Sequence, residues 1–221
     1  MHFVLESLLD AGGLEELRQA LLAPNAPWRD GQETAGWHAR EVKRNRQLER
    51  DSPLHQRLRQ SLEHQLLQQP LLQAAALPLR LHGVLFSRMG PGEEYGRHVD
   101  NAFMAGGRSD LSFTVFLSEA DAYGGGALVL ETAGGEESWR LPAGQAFVYP
   151  STLLHRVEPV TWGERLVAVG WIESRVRSAE QRELLFDLDA ARRSLFAREG
   201  KTEEFDRLCR CYANLLRMWG D

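Results

Sequence analysis

Between residues 81 and 173 the chain is a succession of short β-rich runs separated by turn residues, with no stretch long enough for an intervening helix. The runs are Leu81–Met89, His98–Met104, Asp110–Leu117, Ala127–Thr132, Glu136–Leu141, Gln145–Tyr149, His155–Val160 and Arg165–Glu173. Asp110–Leu117 alternates polar and apolar residues, so at least one of its faces is buried. Eight closely spaced strands exclude a parallel sheet with crossover helices and leave a sandwich or barrel. A double-stranded β-helix, or jelly roll, is the expected core. The fold class is therefore mainly β with helical flanks (α+β).

The flanks have a different period. Residues 1–80 read as mostly helical. Leu14, Leu17 and Leu21 recur at helical spacing after Asp10 until Pro24. A Pro-, Gly- and Trp-rich loop covers residues 24–37. A second helix opens at Ser52-Pro53, with Ser52 as N-cap and Leu54, Leu58, Leu62 and Leu66 as its apolar stripe. His55 and His64 are expected on its exposed side. After residue 177 the helical pattern returns in Leu184, Leu185, Leu188 and Leu195, then in Phe205, Leu208, Tyr212, Leu215 and Trp219. The expected organisation is an N-terminal helical region (1–80), a jelly roll (81–176) and a C-terminal helical extension (177–221), the last packing on the barrel or on a second copy in a homodimer.

Bulk properties narrow the partners. The formal charge of −5 on 221 residues gives no electrostatic case for nucleic acid. No apolar run approaches the ~20 residues that span a bilayer, and the first residues do not read as a secretory signal. The only cysteines, Cys209 and Cys211, read as reduced thiols on a terminal helix. A cytoplasmic protein without membrane association is expected.

Chemistry concentrates at His98-Val99-Asp100. On a strand, residues two apart share a face, which would set an imidazole beside a carboxylate. With seven histidines in the chain, such a pair arises by chance in roughly one chain of this composition in three, so context must support it. His155, at the start of its own run after Tyr149-Pro150-Ser151, supplies a third candidate. Two histidines and a carboxylate on one face of an octahedron leave three positions open, as in non-haem Fe(II) sites. His155 could equally be a strand-end histidine bonded to backbone.

Ten residues later stands Arg165. If the intervening segment is a hairpin centred near residue 160, the two side chains are directly opposed. Arg165, Val167, Val169 and Trp171 share one face, otherwise apolar, and a buried guanidinium there requires an anion. Glu131 or Asp110 could provide it, or a dicarboxylate ligand with its other end on a metal.

This order of residues resembles the Fe(II)- and 2-oxoglutarate-dependent dioxygenases, and more narrowly the bacterial PKHD-type hydroxylases, which include the iron-uptake-factor type. The resemblance is carried by Asp30-Gly31-Gln32-Glu33-Thr34-Ala35-Gly36, His98-Val99-Asp100-Asn101-Ala102, Arg108-Ser109-Asp110-Leu111-Ser112 and Tyr123-Gly124-Gly125. It continues in Leu141-Pro142-Ala143-Gly144, Tyr149-Pro150-Ser151 through His155-Arg156-Val157, and Asn214–Trp219. It implies that His98, Asp100 and His155 bind Fe(II) and that Arg165 holds the far carboxylate of 2-oxoglutarate. It implies O2 as co-substrate, succinate and CO2 as products, and L-ascorbate as the reductant that maintains the iron. It implies as substrate either a protein side chain or a small molecule of iron acquisition. Where a tyrosine is expected before the motif, this chain has Ser87-Arg88-Met89-Gly90, leaving Tyr95 or Tyr149 to replace it.

Ser112 and Thr114 are candidates for the pocket lining, and Asn101 for orienting a ligand. Gly124-Gly125-Gly126 reads as a tight turn and not a phosphate loop. Lys43-Arg44-Asn45-Arg46 and Arg192-Arg193 read as solvated helix faces. Two other functions fit the same residues: a cupin-like metalloenzyme of different chemistry, and a non-catalytic sensor of iron or 2-oxoglutarate.

Overall fold

A computed structural model describes residues 1–34, 40–104 and 106–221; Ala35, Gly36 and Trp37 of the expected loop lie outside the described residues. Strand β1 (Phe3–Leu5) and helix α1 (Ala11–Leu22) precede β2 (Trp28–Asp30), β3 (Lys43–Arg44) and β4 (Arg46–Leu48). Helices α2 (Pro53–Leu67) and α3 (Pro70–Ala76) lead into β5 (Pro78–Met89), β6 (Glu94–His98), β7 (Phe103–Met104), β8 (Gly107–Arg108) and β9 (Leu111–Phe116). Then follow β10 (Tyr123–Gly125), β11 (Leu128–Thr132), β12 (Gly135–Trp139), β13 (Ala146–Pro150), β14 (His155–Val157), β15 (Val160–Gly163) and β16 (Arg165–Ser174). Helices α4 (Ala179–Glu199) and α5 (Glu203–Trp219) complete the chain.

The strands form two main antiparallel sheets. The larger has the order β1-β13-β9-β16-β5-β4-β2 and the smaller β12-β11-β14-β6-β3. They enclose an apolar cluster drawn from both, including Met89, Phe116, Leu128, Leu130, Phe147 and Val167. This is the jelly-roll core. On its other side the larger sheet buries Phe86, Phe113, Val115, Leu166, Ala168 and Ile172 against Leu17, Leu21, Leu58, Leu62 and Leu72 of α1–α3.

Period-two alternation explains how one strand serves both layers. In β9, Phe113 and Val115 face the helices, while Ser112, Thr114 and Phe116 face the smaller sheet. In β16, Leu166, Ala168 and Ile172 face the helices, and Arg165, Val167, Val169 and Trp171 face inward. All six residues of β9 are buried, which only a sheet covered on both sides permits.

The helix signals hold locally. Asp10 caps α1 by accepting from the Gly13 amide at 2.7 Å, and Ser52 caps α2 through the His55 amide at 3.1 Å with Pro53 in the first turn. Helices α4 and α5 dock through Leu185, Tyr212, Leu215 and Trp219 onto Leu77 and Val176. Cys209 and Cys211 on α5 are free thiols. No helix among the described residues is long and apolar enough to cross a membrane.

Four expectations are corrected. The N-terminal eighty residues are not helix alone: four short strands add β1, β2 and β4 to the larger sheet and β3 to the smaller. The run His98–Met104 is not one strand, because β6 ends at His98 and residues 103–104 belong to a separate small hairpin. No hairpin opposes His155 to Arg165: β15 pairs with β10, and β16 enters the larger sheet while β14 lies in the smaller. His55 is not exposed. Its Nε2 lies 3.0 Å from the Val84 carbonyl and its ring meets Phe86 edge-on.

Candidate metal centre and ligand pocket

The two candidate histidines are brought together by strand register. β14 pairs with β6 so that His155 stands opposite His98, and their ring centroids are 4.2 Å apart. Asp100 lies just beyond the end of β6, with a carboxylate oxygen 3.8 Å from His155 Nε2. One donor atom from each of the three falls within 4.8 Å of the others, the one such trio of metal-binding side chains among the described residues.

Hydrogen bonds select the tautomers. His98 Nδ1 lies 2.8 Å from the Gly96 carbonyl and His155 Nδ1 lies 3.0 Å from the Leu153 carbonyl. A carbonyl only accepts, so each Nδ1 carries the proton and each Nε2 lone pair is left for a cation. His155 thus makes the backbone bond expected of a strand-end histidine and still presents a metal donor; the two readings are compatible. Burial and the adjacent His155 lower the His98 pKa to about 4, which keeps its ring neutral. Tyr95 stacks on His98 with centroids 3.7 Å apart.

The carboxylate is held as well. Ser112 Oγ donates to Asp100 Oδ2 at 2.6 Å, and Ser112 Oγ is 2.8 Å from Ser151 Oγ. Two buried imidazole nitrogens and one anchored, partly buried carboxylate fit a ferrous ion with open positions.

Trio and guanidinium line one cavity of about 130 Å³, roughly ten times what a single water needs. Arg165 is 1% exposed. Its Nε and Nη2 have no hydrogen-bond partner among the described residues, and burial pushes its pKa down. Neither carboxylate considered for it is available: Glu131 takes a two-pronged bond from Arg97 at 2.5 and 2.7 Å, and Asp110 accepts from Arg108 at 2.8 Å. An uncompensated buried cation costs several kcal/mol, so the pocket is built for an anion.

The Arg165 side chain passes Gly126, where an added Cβ would lie 3.0 Å from Arg165 Cδ. The glycine run is not the tight turn expected of it: Gly124 and Gly125 belong to β10, whose register against β15 shifts between them, and Gly125 and Gly126 take φ of +65° and +63°, which glycine adopts without strain. Ser112, Thr114, Asn101, Tyr95 and Tyr149 all line the cavity. Ser87, in the stretch where the tyrosine is expected, accepts from Asn45 Nδ2 at 2.7 Å.

One part of the lining escaped sequence reading. Lys43, Asn45, Gln47 and Arg50 line the same cavity, and Lys43, Asn45 and Gln47 are buried; Lys43-Arg44-Asn45-Arg46 is no solvated helix face. The signal was present as period-two alternation, masked by the high charge of the segment. The Asp30-Gly31 motif braces it: the Gly31 amide donates to the Asn45 carbonyl at 2.8 Å, and a Cβ on Gly31 would lie 1.7 Å from Asn45 Oδ1.

Comparison with known proteins agrees with this geometry. Residues 84–173 match the model of the 2OG-Fe(II) oxygenase superfamily, and residues 180–221 match the PKHD-type hydroxylase C-terminal domain. A PKHD-type hydroxylase of Synechococcus elongatus is 53% identical with all of both chains covered, and one of Picosynechococcus is 51% identical, again over the whole of both. Among solved structures, a Pseudomonas putida prolyl-4-hydroxylase aligns with 79% of this chain and 92% of its own, at TM-score 0.58 and 21% identity. HygX of Streptomyces hygroscopicus, solved with nickel, 2-oxoglutarate and hygromycin B, covers 76% of this chain and 81% of its own, at TM-score 0.53 and 17% identity. At these identities the structural matches establish the fold.

Proposed function

The chain belongs to the PKHD-type hydroxylases, 2-oxoglutarate-dependent dioxygenases of the 2OG-Fe(II) oxygenase superfamily, and on that premise we propose that it hydroxylates a C–H bond of a substrate, releasing succinate and CO2. The observation that carries the reading is the pairing, in one cavity, of three converging metal donors with a buried arginine that lacks a protein carboxylate.

In this reading His98 and His155 bind Fe(II) through Nε2, and Asp100 binds it through a carboxylate oxygen. The bound ion would supply the O2 chemistry that couples decarboxylation of 2-oxoglutarate to substrate hydroxylation. Arg165 takes the distal carboxylate of 2-oxoglutarate in a two-pronged bond, which fixes the length and direction of the co-substrate. Tyr149, buried in the lining of the same cavity as Arg165, stands in for the missing tyrosine. Ser112 holds the Asp100 carboxylate in place through its 2.6 Å hydrogen bond. The apolar lining from Val167, Val169 and Leu128 limits water at the centre, which strengthens each charge interaction there.

Ascorbate serves as reductant in this scheme. A cytoplasmic location accords with the free thiols of Cys209 and Cys211. Exposed Leu184, Phe196 and Met218 on α4 and α5 support a homodimer, which light scattering would detect.

The decisive test is anaerobic addition of 2-oxoglutarate to the Fe(II)-loaded protein. A visible charge-transfer band is expected, absent in His98→Ala, with succinate formed once O2 is admitted. Folded, metal-loaded protein without that band would overturn the reading.

A further inference from the structure

Two stretches that stand out in the sequence have no part in the chemistry so far: Arg108-Ser109-Asp110 and the C-terminal run Asn214–Trp219. They meet beside the pocket. Hairpin β7–β8 pairs Phe103 with Arg108 and Met104 with Gly107, and the Ser109 amide closes its base by donating to the Ala102 carbonyl at 2.9 Å. This segment forms part of the cavity rim, because Asp100, Asn101 and Met104 all line the space. The hairpin lies close on the strands beneath it. A Cβ on Gly106 would lie 2.5 Å from His82 Cβ, and one on Gly107 would lie 2.3 Å from Glu173 Oε2. His82 Nε2 donates to the Arg108 carbonyl at 2.9 Å.

One side chain ties that hairpin to the rest of the fold. Arg108 Nε donates to both Asp110 oxygens at 2.8 and 3.0 Å, and its Nη2 donates to the Ser174 carbonyl at 2.8 Å. Its Nη1 faces Glu173 at 3.4 Å and Asp221 at 3.6 Å. The planar fork thus links β8 to the approach to β9, the end of β16 and the segment beyond α5, a geometry that a lysine cannot reproduce. Asp221 is itself seated: its amide donates to the Arg175 carbonyl at 2.8 Å, and Arg177 Nε donates to its carboxylate at 2.9 Å. Alongside, Gly220 bridges to Val176, on which α4 and α5 dock. Asp110 also accepts from the Ser174 amide at 2.8 Å, and farther along the same strand Ser112 holds Asp100.

We propose that Arg108 is a positioning residue through which the C-terminal extension sets the rim of the metal centre, so that α4 and α5 serve as an internal brace for the segment from Asp100 to Ser109. The inference rests on the dioxygenase reading above for the identity of the centre, and it gives a task to the region that matches the PKHD-type C-terminal domain. Coupling between distant parts of a fold travels through contiguous packing and hydrogen bonds. Here the chain of contacts runs from Leu185 and Trp219 to Val176, through Arg175 and Asp221 to Arg108, and from Arg108 into the hairpin.

The test takes the same variants through two measurements. In the ligand-free protein, deuterium exchange at the amides of residues 101–109 should quicken by about tenfold or more in Arg108→Gln, since local opening then breaks fewer bonds. Asp221→Lys, at a position 47% exposed within the extension, should quicken the same amides by at least about threefold through repulsion of Arg108 and Arg177. In protein loaded anaerobically with Fe(II) and 2-oxoglutarate, excess EDTA should bleach the visible band faster in the same order of variants. Leu62→Ala, which loosens the helix-covered side of the larger sheet, should leave rim exchange and bleaching within about twofold of the unaltered protein. If Arg108→Gln does not fold, Asp221→Lys decides. Unchanged rim exchange, bleaching rates that do not follow it, or an equal effect from Leu62→Ala would each overturn the brace. Absence of the band in the unaltered protein, with the exchange pattern as expected, would instead overturn the dioxygenase reading and leave the brace standing.

Discussion

The two faces of the larger sheet are made by the same strands yet meet different demands. Toward α1–α3 the strands present Phe113, Val115, Leu166, Ala168 and Ile172, a close-packed apolar layer. Toward the smaller sheet they present Ser112, Thr114 and Arg165 among valines. The first face contributes burial free energy at about 25 cal/mol per Å². The second gives up part of that gain to keep a guanidinium and two hydroxyls out of water. Stability and ligand affinity are thus distributed to opposite sides of one sheet, and substitutions on the two sides should have separable effects.

Arg165→Met gives the largest separation. Loss of the two-pronged anchor should weaken 2-oxoglutarate binding on the order of 100-fold or more, from removal of a buried charged bond. The ligand-free protein should at the same time melt a few degrees higher, because a buried cation is exchanged for a packed apolar chain. Calorimetry and thermal melts of the same sample test both; a lower melting temperature would break the comparison. Phe113→Ala should do the reverse, destabilising by about 3–5 kcal/mol while the fraction still folded keeps its 2-oxoglutarate Kd within about threefold. Ser112→Ala removes the donor to Asp100, and iron affinity should fall by about 10–100-fold with little change in melting temperature. Arg97→Gln, which breaks the exposed pair with Glu131 outside the pocket, should leave melting and affinity unchanged within error.

The same contrast explains what could be read from the sequence. β9 and β16 were legible because each is long enough to show its alternation and carries different chemistry on its two faces. His98, Asp100, His155 and Arg165 were legible as a set, and the structure places all four around one cavity. Their supporting geometry was not. The turn at Gly163-Glu164 sends β16 to the other sheet, so His155 and Arg165 meet across the barrel and not across a hairpin. β1 to β4 have two or three residues each, too few for a period to emerge. His55 was misplaced because its partner, the Val84 carbonyl, lies 29 residues away. Lys43 was misplaced because high local charge suggests solvent, although its neighbours alternate in burial as a strand does.

The passage from β3 to β4 carries a mechanical consequence. Lys43 pairs with Tyr95 in the smaller sheet, and two residues past Arg44 the chain pairs with Arg88 in the larger. Asn45, at the crossing, is fastened to Gly31 and Ser87. The segment works as a stitch across the rim, so the sheets cannot part on that side without tearing one of the two ladders. Opening there should be concerted: backbone amides at residues 43–48 and their partners in β5 and β6 should exchange with solvent deuterium at a common rate, and ligands that bridge the cavity should slow all of them together.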